Sequence, residues 1–380
     1  MRLLKLALDR NELAGAFGDL GTFVPLVTAM IAVNGLDATS VLTTFGLLYV
    51  WSGLMFGIPI PVQPMKVIAA IMITQRLDRD LLPVAGLVIA LFFLIVGLTH
   101  TIDFIYRIVP RSVVRGIQLG LGLNLLLISF NFMQREGLVG YAVSIIGIVL
   151  VLILRRTKHF PPALAVLALG IGVSVLQGFP VDILTHSVQI SLPQPSLPKL
   201  DLIMKATVLL AIPQIPLTIG NAVIATSLLA KDYFPNNSHT TVRRLSVNHG
   251  MMNLFASFFG GIPVCHGAGG LAAHYTFGAR TGTATVLIGI ILTLLGLVYG
   301  HTTTQVLSLL SFSILGVLLV FPGLELVMTT RDVAKPRSDF YIALFVGVIS
   351  VALAYGYVIG LIAGALLAYA HNRLKVALAD

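Results

Sequence analysis

"GIPIPVQPMKVIAA", Gly57 to Ala70, sets three prolines within six residues beside a glutamine and a lysine. It directly follows an almost unbroken apolar run of about twenty residues, long enough to cross a bilayer. Proline supplies no backbone donor and disfavours helix at the residue before it, so the chain cannot cross here as one continuous helix. Irregular backbone at membrane depth is tolerated only where protein or a water-filled cavity surrounds it. The stretch therefore belongs to the interior of a polytopic membrane protein, as a short extended strand, Ile58 to Pro64, giving way to a half-helix near Met65.

The rest of the chain agrees. Of 380 residues, 57% are hydrophobic and 10% charged, against roughly 25% charged in soluble domains. Apolar runs recur from end to end and leave no sizeable soluble domain. The formal charge of +9 comes from 24 basic and 15 acidic residues. The basic residues sit in short loops, where the positive-inside rule accounts for them, so no nucleic-acid partner is expected. The basic segment Met1 to Asn11 lacks a small-residue cleavage pattern and is expected to be retained. One cysteine, Cys265, excludes intrachain disulfides and cysteine-based metal sites, and no metal or cofactor is expected.

The expected fold is an all-α polytopic membrane protein of about fourteen spans. They cover 12–33, 38–57, 58–75, 81–108, 112–132, 137–154, 161–177, 201–229, 245–259, 262–279, 282–300, 304–329, 340–355 and 357–372. With both termini cytoplasmic, most Lys/Arg-bearing loops fall inside and the connection from Gln177 to Pro198 falls outside; Arg76/Arg79 and Lys199/Lys205 fit less well. The sequence also repeats itself. Gly18-Asp19 corresponds to Gly220-Asn221 at an offset of 202 (220 minus 18), and Ile60-Pro61-Val62 to Ile262-Pro263-Val264 at the same offset (262 minus 60). Seven spans per half is odd, so the second copy, 201–380, lies inverted relative to the first, 1–177. This is the inverted-repeat arrangement of secondary transporters, with short extended strands before half-helices in spans three and ten.

By inversion the two half-helix N-termini point toward each other near the midplane, each with unpaired N–H groups and a partial positive charge suited to an anion. Lys66 stands in the first turn of one; a cation there is electrostatically misplaced unless an anion receives it, the alternative being a lysine that snorkels. Gln63 adds hydrogen-bonding capacity. At the other break, "PVCHGAGG" (263–270) puts His266 in place to contact an anion, carry a proton or fill a packed interior position. Gly267, Gly269 and Gly270 there permit close approach to the backbone. Cys265 is read as a small apolar filler. In "GAFGDLGTFVPLV" (15–27), Gly15, Gly18 and Gly21 form a small-residue packing face. Asp19, a carboxylate within the apolar run, pairs with Lys66, relays a proton or binds a cation. In "AIPQIPLTIGNAVIAT" (211–226), Gln214, Thr218 and Asn221 share a face, as ligands or as polar contacts between helices.

"FGDLGTFVPL" with "PIPVQPMK" in the first half, and "PQIPLTIGNAVIAT" with "GGIPVCHGAGGLAAHYTFGARTG" in the second, closely resemble the MOT-type molybdate transporters, related to the sulfate permeases. The resemblance spans essentially the whole chain. It implies the seven-plus-seven fold shared with the uracil permease, in which spans 1–4 and 8–11 form a core domain and spans 5–7 and 12–14 a gate. It also implies elevator-like transport. The substrate places of that fold are held here by Gln63 and Lys66, by His266, Gly267 and Ala268, by Asp19 and Thr22, and by Gln214 and Asn221. Beside typical sulfate permeases the chain is expected to lack the cytoplasmic regulatory domain that many of them carry.

The resulting expectation is a secondary transporter of a tetrahedral oxyanion in the cell membrane: molybdate first, sulfate or tungstate as alternatives, and a proton as coupling ion. Asp19 and His266 are the titratable candidates for coupling. The oligomeric state stays open between monomer and homodimer. A nucleobase permease would resemble its relatives in having carboxylates where Gln214 and His266 stand. An intramembrane aspartyl hydrolase needs two carboxylates sharing a proton, and Glu325, the other acid well inside a span, lies in the expected gate. No P-loop is present, so the chain is not expected to be an enzyme.

Overall fold

The computed structural model describes residues 9–99, 101, 110–154, 162–176, 178, 190–308, 311–353 and 355–377. The chain is mostly helical. Asp9 Oδ1 accepts from Asn11 N and Glu12 N, both at 2.8 Å, and starts α1 (Arg10–Ala16). After a turn at 17–19, α2 (Leu20–Asn34) follows, so the first span, expected over 12–33, carries a break inside it. The reason is local: Gly15 and Gly18 weaken the helix, and the Gly15 carbonyl is taken up by His274 Nδ1 at 2.7 Å and by Gly18 N. A Cβ on Gly15 would sit 2.4 Å from Ala279 N, which bears out the close-packed face there. Gly21 does not belong to that face; it borders open space.

Helix α3 (Ala38–Phe56) is capped by Asp37 and ends on Gly57 at φ +68. The extended stretch leads to β1 (Gln63–Pro64) and α4 (Lys66–Gln75), followed by α5 (Leu81–Thr99), α6 (Arg111–Gln134), α7 (Gly137–Leu154) and α8 (Pro162–Leu176). The expected end of the fourth span near 108 lies outside the described residues, as does most of the connection from 177 to 189. The helical run α9 (Leu200–Tyr233) carries π-turns at Thr207–Ala211 and Thr218–Ala225 on either side of Pro213 and Pro216. The wider turns let the helix continue past residues that cannot donate. Then come α10 (Val242–Phe258), β2 (Val264–Cys265), α11 (Ala268–Thr276), α12 (Thr283–Ser308), α13 (Phe312–Met328, extended by a 3₁₀ turn to Val333), α14 (Arg337–Ala352) and α15 (Gly356–Ala377). The boundary expected between 300 and 304 lies later, because α12 runs on through Gly300 with its backbone against Thr39.

Among the described residues, eight helices are long and apolar enough to cross a membrane; α4 and parts of α8 and α15 are shorter apolar segments. Leu138, Ile145 and Ile153 on α7 and Leu366 on α15 are exposed, as lipid-facing side chains must be. Helices α3 and α12 touch backbone to backbone: a Cβ on Gly46 would lie 2.5 Å from Thr293 N, and one on Gly289 would lie 2.6 Å from Gly46 O. Arg79 and Lys199, which fit the charge bias poorly, are engaged locally. Arg79 donates to Gly35 O at 3.0 Å, and Lys199 pairs with Asp80 at 2.5 Å, which holds the lysine amine above its ordinary value.

Candidate functional site

The two broken segments meet. β1 and β2 pair antiparallel, Gln63 opposite Cys265 and Pro64 opposite Val264, and Met65 N donates to Pro263 O at 2.9 Å. Lys66 and Ala268 each follow three residues after the central pair, so α4 and α11 begin on opposite sides of the little sheet. On its other side β2 is held by Asn253 of α10. Its Oδ1 accepts from Val264 N and its Nδ2 donates to Val264 O, both at 2.9 Å, so a side chain stands in for a third strand.

Behind β1 lies the buried Asp19, in the turn between α1 and α2. Its Oδ1 accepts from Gln63 Nε2 at 2.5 Å and its Oδ2 from Tyr49 OH at 3.2 Å. Gln63 Oε1 is buried without a hydrogen-bond partner among the described residues. The Gln63 amide fits because two neighbours lack a Cβ: one on Gly267 would come within 2.1 Å of Oε1, and one on Gly270 within 2.6 Å of Nε2. These glycines therefore admit a side chain of the protein, whereas Gly269 faces open space.

Lys66 does open α4, as the sequence indicates, but its partner is Glu325 of α13, with Nζ and Oε2 3.9 Å apart; Asp19 bonds elsewhere. The amides of α4 are not all free. Val67 N and Ile68 N donate to Gln214 Oε1 at 3.0 and 3.3 Å, and Gln214 Nε2 donates to Thr218 Oγ1 at 2.8 Å. Gln214 is thus a cap supplied by another helix, with both ends of its amide engaged, and not an open ligand. Thr218 is buried with it, while Asn221, within the π-turn, is partly exposed and lines a cavity. Gln214→Ala leaves two helix-start amides without an acceptor, a loss of about 1–3 kcal/mol. Its thermal midpoint in detergent should fall, with affinity for the expected oxyanion nearly preserved in the folded fraction; an unchanged midpoint with lost affinity would return Gln214 to the ligand set.

His266 is likewise occupied. Nδ1 lies 2.7 Å from Pro61 O, and Nε2 lies 2.7 Å from Asn248 Nδ2. Its backbone N–H donates to His249 Nε2 at 3.1 Å, and its carbonyl accepts from Thr226 Oγ1 at 2.7 Å. These partners assign the tautomer with the proton on Nδ1 and leave no ring nitrogen for a substrate oxygen. Of the three roles open to it, packing is the one this geometry supports. Cys265 is a buried free thiol, in keeping with a filler.

What remains open is the first turn of α11, with Ala268 partly exposed and Gly269 exposed. Its leading amides have no carbonyl behind them in the helix. Asn221 adjoins it, with Nδ2 3.6 Å from the Cβ position of Gly267. Asn221 and Gly220 line a cavity of about 280 Å³, together with Pro216, Arg111, Arg115 and Asp332; Arg115 is paired with Asp332. A second cavity, of about 250 Å³, lies between Gly21 and Pro25 of α2 and Phe321 and Glu325 of α13. Thr22, on α2, is partly exposed. Sequence reasoning missed Tyr49, Asn253, His249 and the Lys66 partner. His249 and Asn253, four apart on one face of an apolar span, were the available signal; Tyr49, inside an apolar run, offered none.

Two half-helices opening from a strand pair, beside a lysine, a buried carboxylate and two cavities, belong to a mostly helical polytopic membrane protein. The transmembrane domain of a cyanobacterium bicarbonate transporter, BicA, superposes with TM-score 0.67 over 90% of this chain and 97% of its own at 16% identity. The murine Solute Carrier 26 family member A9 anion transporter, in its inward-facing state, gives 0.72 over 98% and 70% at 15% identity. At these identities the likeness is one of fold. In sequence, residues 11–125 and 206–326 match the family described as "Molybdate transporter of MFS superfamily". Molybdate transporter 2 of Arabidopsis thaliana is 33% identical over 405 residues, covering 91% of this chain and 85% of that protein. Molybdate transporter 1 of Chlamydomonas reinhardtii is 28% identical over 489 residues, covering 97% and 93%. The chain belongs to the molybdate transporter family. Although the family's description names the MFS superfamily, the fold matched is that of BicA and Solute Carrier 26, in line with the resemblance to the sulfate permeases.

Proposed function

We propose that the protein is a secondary active transporter of a tetrahedral oxyanion, molybdate first, held at the first turn of α11 by its backbone amides with Asn221, Ala268, Thr22 and Lys66 around it. The observation that carries the reading is the family match joined to the exposed half-helix start of α11, next to Asn221. Gln63 and Asp19 form the polar wall behind the site, with Asp19 as the coupling carboxylate for a proton. Gln214, His266 and Gly267 support the site rather than contact the anion.

The fourteen-span inverted repeat belongs to the same reading. Gln63 and Cys265, the central pair of the strand ladder, are separated by the repeat offset of 202 (265 minus 63), as a two-fold axis through that pair requires. The most extensive helix pairings also sort by domain: α3 with α12 and α5 with α10 in the core, α6 with α13 and with α14 in the gate. We read transport as movement of core against gate, in the cell membrane, with both termini cytoplasmic and the protein monomeric or homodimeric. Titration calorimetry of the purified protein with molybdate, tungstate, sulfate and uracil tests the substrate class. Molybdate and tungstate are expected to bind, and more tightly than sulfate. Sulfate binding alone would move the chain to the sulfate branch, and uracil binding or no oxyanion binding would overturn the assignment.

A further inference from the structure

We infer that Glu325 is the group an incoming oxyanion displaces from Lys66, so that cargo binding frees gate helix α13 from half-helix α4. The inference rests on the assignment of Lys66 to the oxyanion site.

Among the described residues, Glu325 is the one ionisable group lining the cavity of about 250 Å³ between α2 and α13, whose other walls include Gly21, Phe321 and Met328. A carboxylate there repels an approaching dianion unless a cation neutralises it. Lys66 supplies that cation at 3.9 Å, across the contact between α4 and α13. The exposures differ: the Lys66 side chain is 19% exposed and that of Glu325 59%. The lysine is thus held in place by the start of α4, while the glutamate is the partner with room to leave. A pair 3.9 Å apart with one partner mostly exposed is weak, as a contact must be if a ligand is to replace it. Without cargo, Glu325 presents one carboxylate to Lys66. A tetrahedral oxyanion presents more oxygens and a second negative charge to the same ammonium, and the first turn of α11 favours it further. Only one of the two acids holds Lys66 at a time, so the substrate competes with a residue of the gate.

Glu325→Gln removes the competitor. Molybdate affinity measured by calorimetry should rise about threefold to fivefold, roughly 0.7–1 kcal/mol. Glu325→Asp keeps the charge but shortens the reach, and should also tighten binding. In a Lys66→Ala background, Glu325→Gln should change affinity less than about twofold. Equal gains in both backgrounds would make Glu325 a distant repelling charge, and no gain in any variant would make the ion pair incidental; either result overturns the inference. If Lys66→Ala alone leaves affinity unchanged, the site assignment itself fails.

Discussion

Asp19→Asn is expected to abolish concentrative uptake of molybdate while leaving exchange of molybdate for molybdate intact. Moving a dianion into a compartment 100 mV negative is opposed by about 4.6 kcal/mol, from about 2.3 kcal/mol per charge. Uncoupled movement therefore settles at an accumulation ratio on the order of a thousandfold below unity. Accumulation requires cations to travel with the cargo, and Asp19 is the buried acid beside the site. The substitution is nearly isosteric and its hydrogen bonds can be kept. The Asn Oδ1 accepts from Gln63 Nε2 as Asp19 does, and its Nδ2 can donate to the Tyr49 oxygen, whose hydroxyl rotates. The variant should fold, and lose the charge alone. Proteoliposomes with a set potential, followed with labelled molybdate, separate the two activities. Wild-type accumulation in the variant would remove Asp19 from coupling.

Lys66→Ala should weaken molybdate binding tenfold or more, at least about 1.4 kcal/mol, without weakening the fold. The two signs separate because of where the lysine stands. As the first residue of α4 it opposes the partial positive charge of the helix start, an interaction that is unfavourable by about 0.3–1 kcal/mol at exposed sites. The amides of that turn are capped by Gln214 and do not depend on it. Its ion pair with Glu325 is long, at 3.9 Å, with the glutamate mostly exposed, and contributes little to stability. Calorimetry and thermal unfolding of the same preparation test both halves. A variant that binds as the wild type does, but melts earlier, would make Lys66 a structural residue.

Much of this was legible along the chain because it is dictated locally. Three prolines between 59 and 64 break a helix in any surroundings, and an apolar stretch long enough to span a bilayer has few other uses. The match of Gly18-Asp19 to Gly220-Asn221 pointed to the two places where the first and eighth spans approach the site. Less legible was which polar groups are open. Gln63, Gln214 and His266 all have residue types suited to an oxyanion, yet each is engaged by groups far away in sequence. Gln63 reaches Asp19, Gln214 caps Val67 and Ile68, and His266 is held by Pro61, Asn248 and His249.

By itself the sequence determined that the chain lives in a bilayer, that it is broken at 58–65 and again at 262–267, and that a lysine opens the first half-helix. Those are consequences of backbone chemistry and hydrophobicity over a few residues. Tertiary structure decided the asymmetry between the half-helices. Gln214 lies 147 residues beyond Val67 and closes one N-terminus, while Gly269 leaves the other open. It also decided that Lys66 meets Glu325 rather than Asp19, because a buried hydrogen-bonding group takes whichever partner the packed helices bring to it, and no local pattern records that choice.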